Sequence, residues 1–346
     1  MTEFGIVVEP SPGYTAKLAV EIEAMGFDLL LCPDTQNLCG DVYGQLNLAA
    51  ARTTRLRLGT GVTNPVTRDV AVTAAALASL QVESAGRAVC GIGRGDSSAA
   101  HVGRPNATTA QLRTCVDELR TYIAGKPVQR GTTSSQLRWV AATELPQGLQ
   151  PIPIDIACTG PKTIRMAADV ADRITFAVGS APERLSWALG ILNDRLGETG
   201  RDRRSLSVGA YVNLICDENE QRAISLGRTI AGLIAHFTGM KGAPVDHLPT
   251  RLKTLAIQLQ TGYDMAHHAQ EEGEHLIHVD DEFVDWFSIC GPPAKCRERL
   301  GELVALGLDH INILGGSPVA HPHGERWAAM VGQNRLFAAA VMPAFR

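Results

Sequence analysis

The stretch Leu56–Asp96, LRLGTGVTNPVTRDVAVTAAALASLQVESAGRAVCGIGRGD, constrains the fold of this chain more than any other. A short apolar run, Leu56–Leu58, opens into Gly59-Thr60-Gly61. Asp69 then stands at the head of a long alanine-rich helix, where a carboxylate caps free backbone N–H groups. That helix ends near Ala85-Gly86, a second apolar run covers Arg87–Ile92, and Gly93-Arg94-Gly95-Asp96 follows. Strand, helix and strand in this order form a βαβ unit, whose crossover is nearly always right-handed. Both glycine turns therefore fall at the carboxyl end of a parallel sheet, the end where α/β folds bind ligands.

The same alternation continues along the chain. Phe4–Val8, Phe27–Cys32, Ile152–Cys158, Asp172–Val178, Ser205–Ile215 and His310–Leu314 read as six further strands. Between them apolar residues recur at helical spacing, as in Leu112, Val116, Leu119 and Ile123, or Ala223, Leu226, Ile230 and Leu233. Pro161 suits the first position of a helix running to Val170. Eight strands alternating with helices predict an α/β fold of the (β/α)8 TIM-barrel type, as one domain over residues 1–346. The rival, an open doubly wound sheet, calls for GxGxxG after the first strand, where Glu9-Pro10-Ser11-Pro12 stands instead. Two stretches interrupt the pattern and predict insertions. One, about 125–150, is rich in Thr, Ser and Gln and suggests a hairpin; the other is about 238–288.

Bulk properties narrow the functions. A net charge of −4 with no dense basic run argues against nucleic acid as a partner. No run approaches the roughly 18 apolar residues of a membrane span. The start, MTEFGIVVEP, lacks the basic region and cleavage site of a signal peptide. None of the eight cysteines forms a CxxC pair, so buried free thiols in a cytoplasmic protein are expected.

Four pieces carry a resemblance: LGTGVTNPVTRDVAVTAAALASL, GRAVCGIGRGD, IACTGPKTIRMAADVAD and CGPPAKCRERLGELVALGLDHINI. Together they resemble the bacterial-luciferase-like family of flavin- and deazaflavin-dependent oxidoreductases, nearest to its methylenetetrahydromethanopterin reductase-like branch. The resemblance implies an enzyme that moves a hydride between the deazaflavin coenzyme F-420 and a small organic substrate, an imine, alkene, alcohol or carbonyl. It leaves two alternatives. One is a monooxygenase using FMN, with a separate flavin or deazaflavin reductase as partner. The other is a non-catalytic flavin-binding protein. It also implies a homodimer, for which the small residues along Val70–Ala78 permit close helix packing.

Several residues follow as candidates. The resemblance places a non-proline cis peptide at Gly61–Val62, beneath the cofactor ring, within a binding stretch of Thr60, Gly61, Val62, Thr63 and Asn64. Asp34, with Gln36 beside it, ends the second strand; its carboxylate either meets the ring's exocyclic groups or caps a helix. Relatives using the deazaflavin often carry His near Gln36, so a histidine acid is not expected there. Gly93 and Arg94 end the fourth strand, followed by Asp96 as candidate general acid; Arg94 is placed to neutralise it, and helix capping is the other reading. Glu9 is a second carboxylate at the same mouth.

Cys158, Thr159, Gly160, Pro161 and Lys162 join the fifth strand to its helix, and Val178 and Gly179 end the sixth. A glycine turn entering a helix offers free N–H groups to an anion, and the resemblance puts the cofactor's phosphate there. Gly315-Gly316-Ser317 is a weaker phosphate option. His267, His268, His275 and His278 lack a metal motif such as HExxH, so no metal is expected and a pocket-lining role is preferred. Asp285-Trp286-Phe287 offers an apolar wall for the substrate.

Overall fold

The computed structural model describes residues 1–142, 149–238, 250–268, 273–314 and 325–346. The βαβ unit is as the sequence predicts. Strand β1 is Glu3–Val7, helix α1 Thr15–Ala24, β2 Leu29–Cys32, α2 Val42–Ala50 and β3 Arg57–Thr60. Helix α3, Val70–Glu83, is capped by Asp69, whose carboxylate accepts from the Ala71 N–H. Strand β4 is Ala88–Ile92, α4 is the short turn Ser97–Ala100, and α5 is Thr109–Ile123. A capping box opens α5: Thr108 accepts from the Gln111 N–H, and Gln111 accepts from the Thr108 N–H.

The first insertion holds the expected hairpin, β5 Val128–Arg130 with β6 Thr133–Ser135, followed by α6 Arg138–Ala142. Next come β7 Ile154–Cys158, α7 Pro161–Val170, β8 Arg173–Phe176, α8 Pro182–Thr199 and β9 Ser207–Val212. The predicted seventh strand is two. After β9 the backbone turns at Asn213, whose amide donates to Gly227 O and Ser288 Oγ, and β10, Leu214–Cys216, leaves the barrel. Helices α9 Glu220–Thr238, α10 Thr250–Thr261 and α11 Asp281–Phe287 follow, then β11 Ile289–Gly291, which pairs in parallel with β10. Helix α12 Pro293–Ala305, strand β12 His310–Ile313 and helix α13 Glu325–Ala340 complete the chain.

The eight strands β1, β12, β9, β8, β7, β4, β3 and β2 close a parallel barrel in that order. This is the (β/α)8 architecture. Residues such as Phe4, Ile6, Leu30 and Leu58 face outward into the main core against the helices. The alternate residues of the same strands point in, as the two-residue period requires. At the carboxyl end the inward set is apolar: Val7, Leu31, Val89, Ala177 and Tyr211, with Val62, Ala157 and Leu314 against them. At the amino end it is ionic. Arg173 donates to Glu3 at 2.7 Å and to Asp155 at 3.4 Å, and Arg57 donates to Glu3 at 2.7 Å.

Thr175 Oγ1 donates to the Asp155 carboxylate at 2.8 Å, so its contact with His310 Nε2 at 2.9 Å is one in which it accepts. His310 therefore carries its proton on Nε2, and Nδ1 accepts from Ser207 Oγ at 2.9 Å. Burial, with the nearby Arg173, pushes His310 well below the ordinary imidazole range. A second, smaller core joins α9, α10, α11 and β11 through Ile230, Ile234, Leu259, Phe283 and Phe287. All eight cysteines are free, and all but Cys39 are buried. Among the described residues no helix is long and apolar enough to cross a membrane.

Candidate active site

A cavity of about 240 Å³ opens at the carboxyl end of the barrel. Its base is the apolar inward layer: Val7, Val62, Ala157, Ala177, Tyr211 and Leu314 line it. The Gly61–Val62 peptide is cis, as the sequence resemblance implies. Pairing of β3 with β4 resumes past it, at Thr63 and Ile92, which holds Val62 at the cavity. Gly93 makes room for this arrangement: a Cβ there would lie 3.1 Å from Val62 Cγ2.

Polar groups stand around the base. Glu9, Thr63, Asn64, Arg94, Asp96 and Thr159 all line the cavity, as does Thr163 from the first turn of α7. Asn64 is fixed by four hydrogen bonds to three neighbours: its amide donates to Ser98 Oγ and Thr67 Oγ1, and its oxygen accepts from the Val66 and Thr67 N–H groups. Cys39 also lines the cavity, but burial pushes its thiol up to about 11, so it stays protonated near neutrality.

Helix α9 and the segment after α10 supply a further part of the wall through Ile230, Leu233, Phe237 and His268. His268 is buried, which pushes it down to about 4 and keeps it neutral. Tyr263 OH lies 3.1 Å from its Nδ1. Tyr263 in turn stacks on His236 at 3.9 Å between ring centroids and contacts His275 at 4.2 Å. His236 Nε2 is 3.3 Å from Asp96 Oδ2, an ion-pair distance without hydrogen-bond alignment.

The sequence reading is corrected at several points. Asp34 is 1% exposed and absent from the cavity wall. Arg68 donates to it through Nε at 2.9 Å and Nη2 at 3.1 Å, and Thr63 Oγ1 donates at 2.7 Å. With both oxygens taken, it braces the loop that carries Thr63 instead of meeting a ring. Gln36 is exposed and donates to Ser98 O. Thr60 is buried and donates to Gly91 O at 2.6 Å. Arg94 does not neutralise Asp96; its Nε donates to Ala107 O. Asp96 precedes α4 but makes no side-chain cap.

Around the presumed phosphate turn the result is mixed. Thr159 reaches the cavity, whereas Cys158 is sealed in the core, Gly160 and Pro161 sit half-buried beside it, and Lys162 points to solvent. Val178 is buried, and a side chain at Gly179 would run into the Phe287 ring. Phe287 and Trp286 consequently pack over that loop and do not wall the cavity; Trp286 Nε1 donates to Glu183 at 2.6 Å. Gly315-Gly316-Ser317 lies outside the described residues. His275 is buried and His278 exposed. Among the described residues no three metal-binding side chains converge. The sequence reading missed His236, Tyr263 and Phe237. The apolar stripe of Ile230 and Leu233 extends to Phe237 at helical spacing, and this was the available signal; nothing local ties His236 to Asp96.

Comparison with known proteins shows the family and the fold. A family model described as luciferase-like monooxygenase matches residues 3–310. A 5,10-methylenetetrahydromethanopterin reductase of Methanolobus tindarius is 30% identical over 96% of this chain and 98% of its own. An F-420-dependent glucose-6-phosphate dehydrogenase of Kineococcus radiotolerans is 28% identical over 72% of this chain and 77% of its own. Among solved structures, the coenzyme F-420-dependent tetrahydromethanopterin reductase of Methanopyrus kandleri superposes with a TM-score of 0.76 at 22% identity, covering 100% and 99% of the two chains.

Proposed function

The chain belongs to the luciferase-like monooxygenase family, and from that premise we propose that this oxidoreductase uses the deazaflavin coenzyme F-420 to reduce or oxidise a small organic substrate. The observation that carries the proposal is the cavity itself: an apolar base at Val62 and Gly93, with Asp96 and Glu9 on its wall. The residues present fit such a ring. The base is apolar and uncharged, the glycine at 93 keeps Val62 uncrowded, and Asp96 Oδ2 is buried without a hydrogen bond among the described residues. When bound, the deazaflavin supplies or accepts a hydride at its C5 position. The protein's part is to hold the substrate over the ring, exclude water and manage the proton. Asp96 is proposed as the group that does so, with Glu9 assisting. Thr159 and Thr163 at the head of α7 are the proposed phosphate contacts.

The deazaflavin is preferred to FMN because relatives that match across most of this chain are F-420-dependent glucose-6-phosphate dehydrogenases and 5,10-methylenetetrahydromethanopterin reductases. Titration of the purified protein with each cofactor, followed by fluorescence, tests this. Saturable F-420 binding is expected, with turnover on at least one of three probes: a methylene-tetrahydropterin, glucose 6-phosphate or a simple ketone. Coupled oxidation of reduced FMN would establish the monooxygenase alternative, and binding with no turnover the non-catalytic one. A homodimer through α3 is proposed as well, since Val72 and Val82 on that helix are exposed; light scattering would report it.

A further inference from the structure

Tyr211 stands near the end of β9, in the inward apolar layer that floors the cavity beside Val62, Ala157 and Ala177. Pairing of Phe176 with Ala210 on one side, and of Asn312 with Tyr211 on the other, sets it level with Ala177, two residues before the turn at Asn213. Its hydroxyl makes no hydrogen bond among the described residues. The phenols of Tyr43 and Tyr122 are sealed in without a partner, whereas that of Tyr211 is not sealed and opens to the cavity its residue lines. Several donors around it are already committed: Thr63 Oγ1 to Asp34, the Asn64 amide to Ser98 and Thr67, and Arg94 Nε to Ala107 O. Burial pushes the Tyr211 phenol well above its ordinary value, and Asp155 adds to this, so the hydroxyl keeps its proton and can donate. A hydroxyl in an apolar layer costs free energy unless something accepts from it. Phenylalanine would fill the same space without that cost, so the oxygen calls for a partner that the described chain does not supply.

We propose that Tyr211 is a binding residue whose hydroxyl donates to the cofactor ring, taking a carbonyl oxygen or an unprotonated ring nitrogen on the edge nearest β9. The inference rests on the deazaflavin reading, which seats the ring against Val62. A planar ring on that floor meets Tyr211 as well, because both residues belong to one layer. The substrate is the other source of such an acceptor. The ring is favoured because Tyr211 lies in the floor, and the substrate sits on the far side of the ring. FMN carries the same kinds of acceptor, so the contact does not depend on which of the two rings is bound.

Thermal melting of the cofactor-free protein and spectroscopic titration with F-420 and with FMN test this. Tyr211→Phe removes one oxygen and keeps the ring of the side chain. Without cofactor the variant is expected to melt at or above the wild-type temperature, because no protein hydrogen bond is lost. Its affinity for F-420 should fall about three- to tenfold, the worth of one neutral hydrogen bond, and the absorption band of the bound ring should move. At saturating cofactor, the KM for the substrate probe that turns over should hold. Unchanged F-420 affinity with an unmoved band overturns the contact. So does a raised substrate KM at unchanged ring affinity, which places the acceptor on the substrate. A cofactor-free variant that melts several degrees below wild type also overturns it, since the hydroxyl then has a structural partner. If wild type binds FMN and not F-420, the cofactor reading fails while the same loss, read with FMN, still decides the contact; binding of neither ring overturns both.

Discussion

Asp96→Asn is expected to lower kcat by about 10²- to 10⁴-fold, the range lost with a positioned general acid, and to leave F-420 affinity within about twofold. The asparagine keeps the shape of the side chain at the cavity edge but cannot hold or pass a proton. It can still donate to His236, so the local packing survives. Glu9→Gln is the control: Glu9 lines the same cavity but does not pair with His236, and a smaller loss is expected. Steady-state kinetics on the probe that turns over, with F-420 binding measured by fluorescence, checks both. If Glu9→Gln costs more than Asp96→Asn, the two carboxylates have exchanged roles and the assignment fails.

Arg173→Met is expected to destabilise the fold by about 3–5 kcal/mol, the cost of breaking a buried ion pair by removing one partner. Arg173 is 5% exposed and lies between Glu3 and Asp155 at the amino end of the barrel. Without it Asp155, 1% exposed, keeps only the Thr175 hydroxyl among the described residues. The double variant Arg173→Met, Asp155→Val removes the stranded charge and should regain part of the loss. Denaturant titration of both variants at pH 7.5 measures this, and a single-variant loss below about 1 kcal/mol would contradict it.

Two buried histidines, one at each end of the barrel, set an acid limit. His310 and His268 are held below the ordinary imidazole value by burial, His268 at about 4. The unfolded chain takes up protons below about pH 6.5 that the native chain refuses, so their contribution, full above that pH, falls away as the pH drops toward 4. Asp155, raised by burial, opposes this trend.

The barrel was legible because its signals are local. Asp69 caps α3, short apolar runs mark the barrel strands, and the glycines at 61 and 93 mark the strand ends where the cavity opens. The site was legible where chain position alone puts a residue at a strand's carboxyl end, as for Glu9, Val62, Asp96 and Thr159. It was not legible where a distant partner decides. Asp34 reads as a ligand group until Arg68 and Thr63 claim it. Gly179 reads as an open turn until Phe287, more than a hundred residues on, packs over it. The run Ser205–Ile215 reads as one strand until Asn213 ties the turn to Gly227 and Ser288. His236 meets Asp96 only because α9 leans over the barrel mouth, a tertiary fact with no trace in either local sequence.

A crystal structure of the protein with F-420 tests the central claim most directly. The ring is expected against Val62 and Gly93 at the mouth of the barrel, with Asp96 Oδ2 and Glu9 flanking the space left for substrate. A ring bound away from Val62, or a deazaflavin that does not enter this cavity at all, would contradict it.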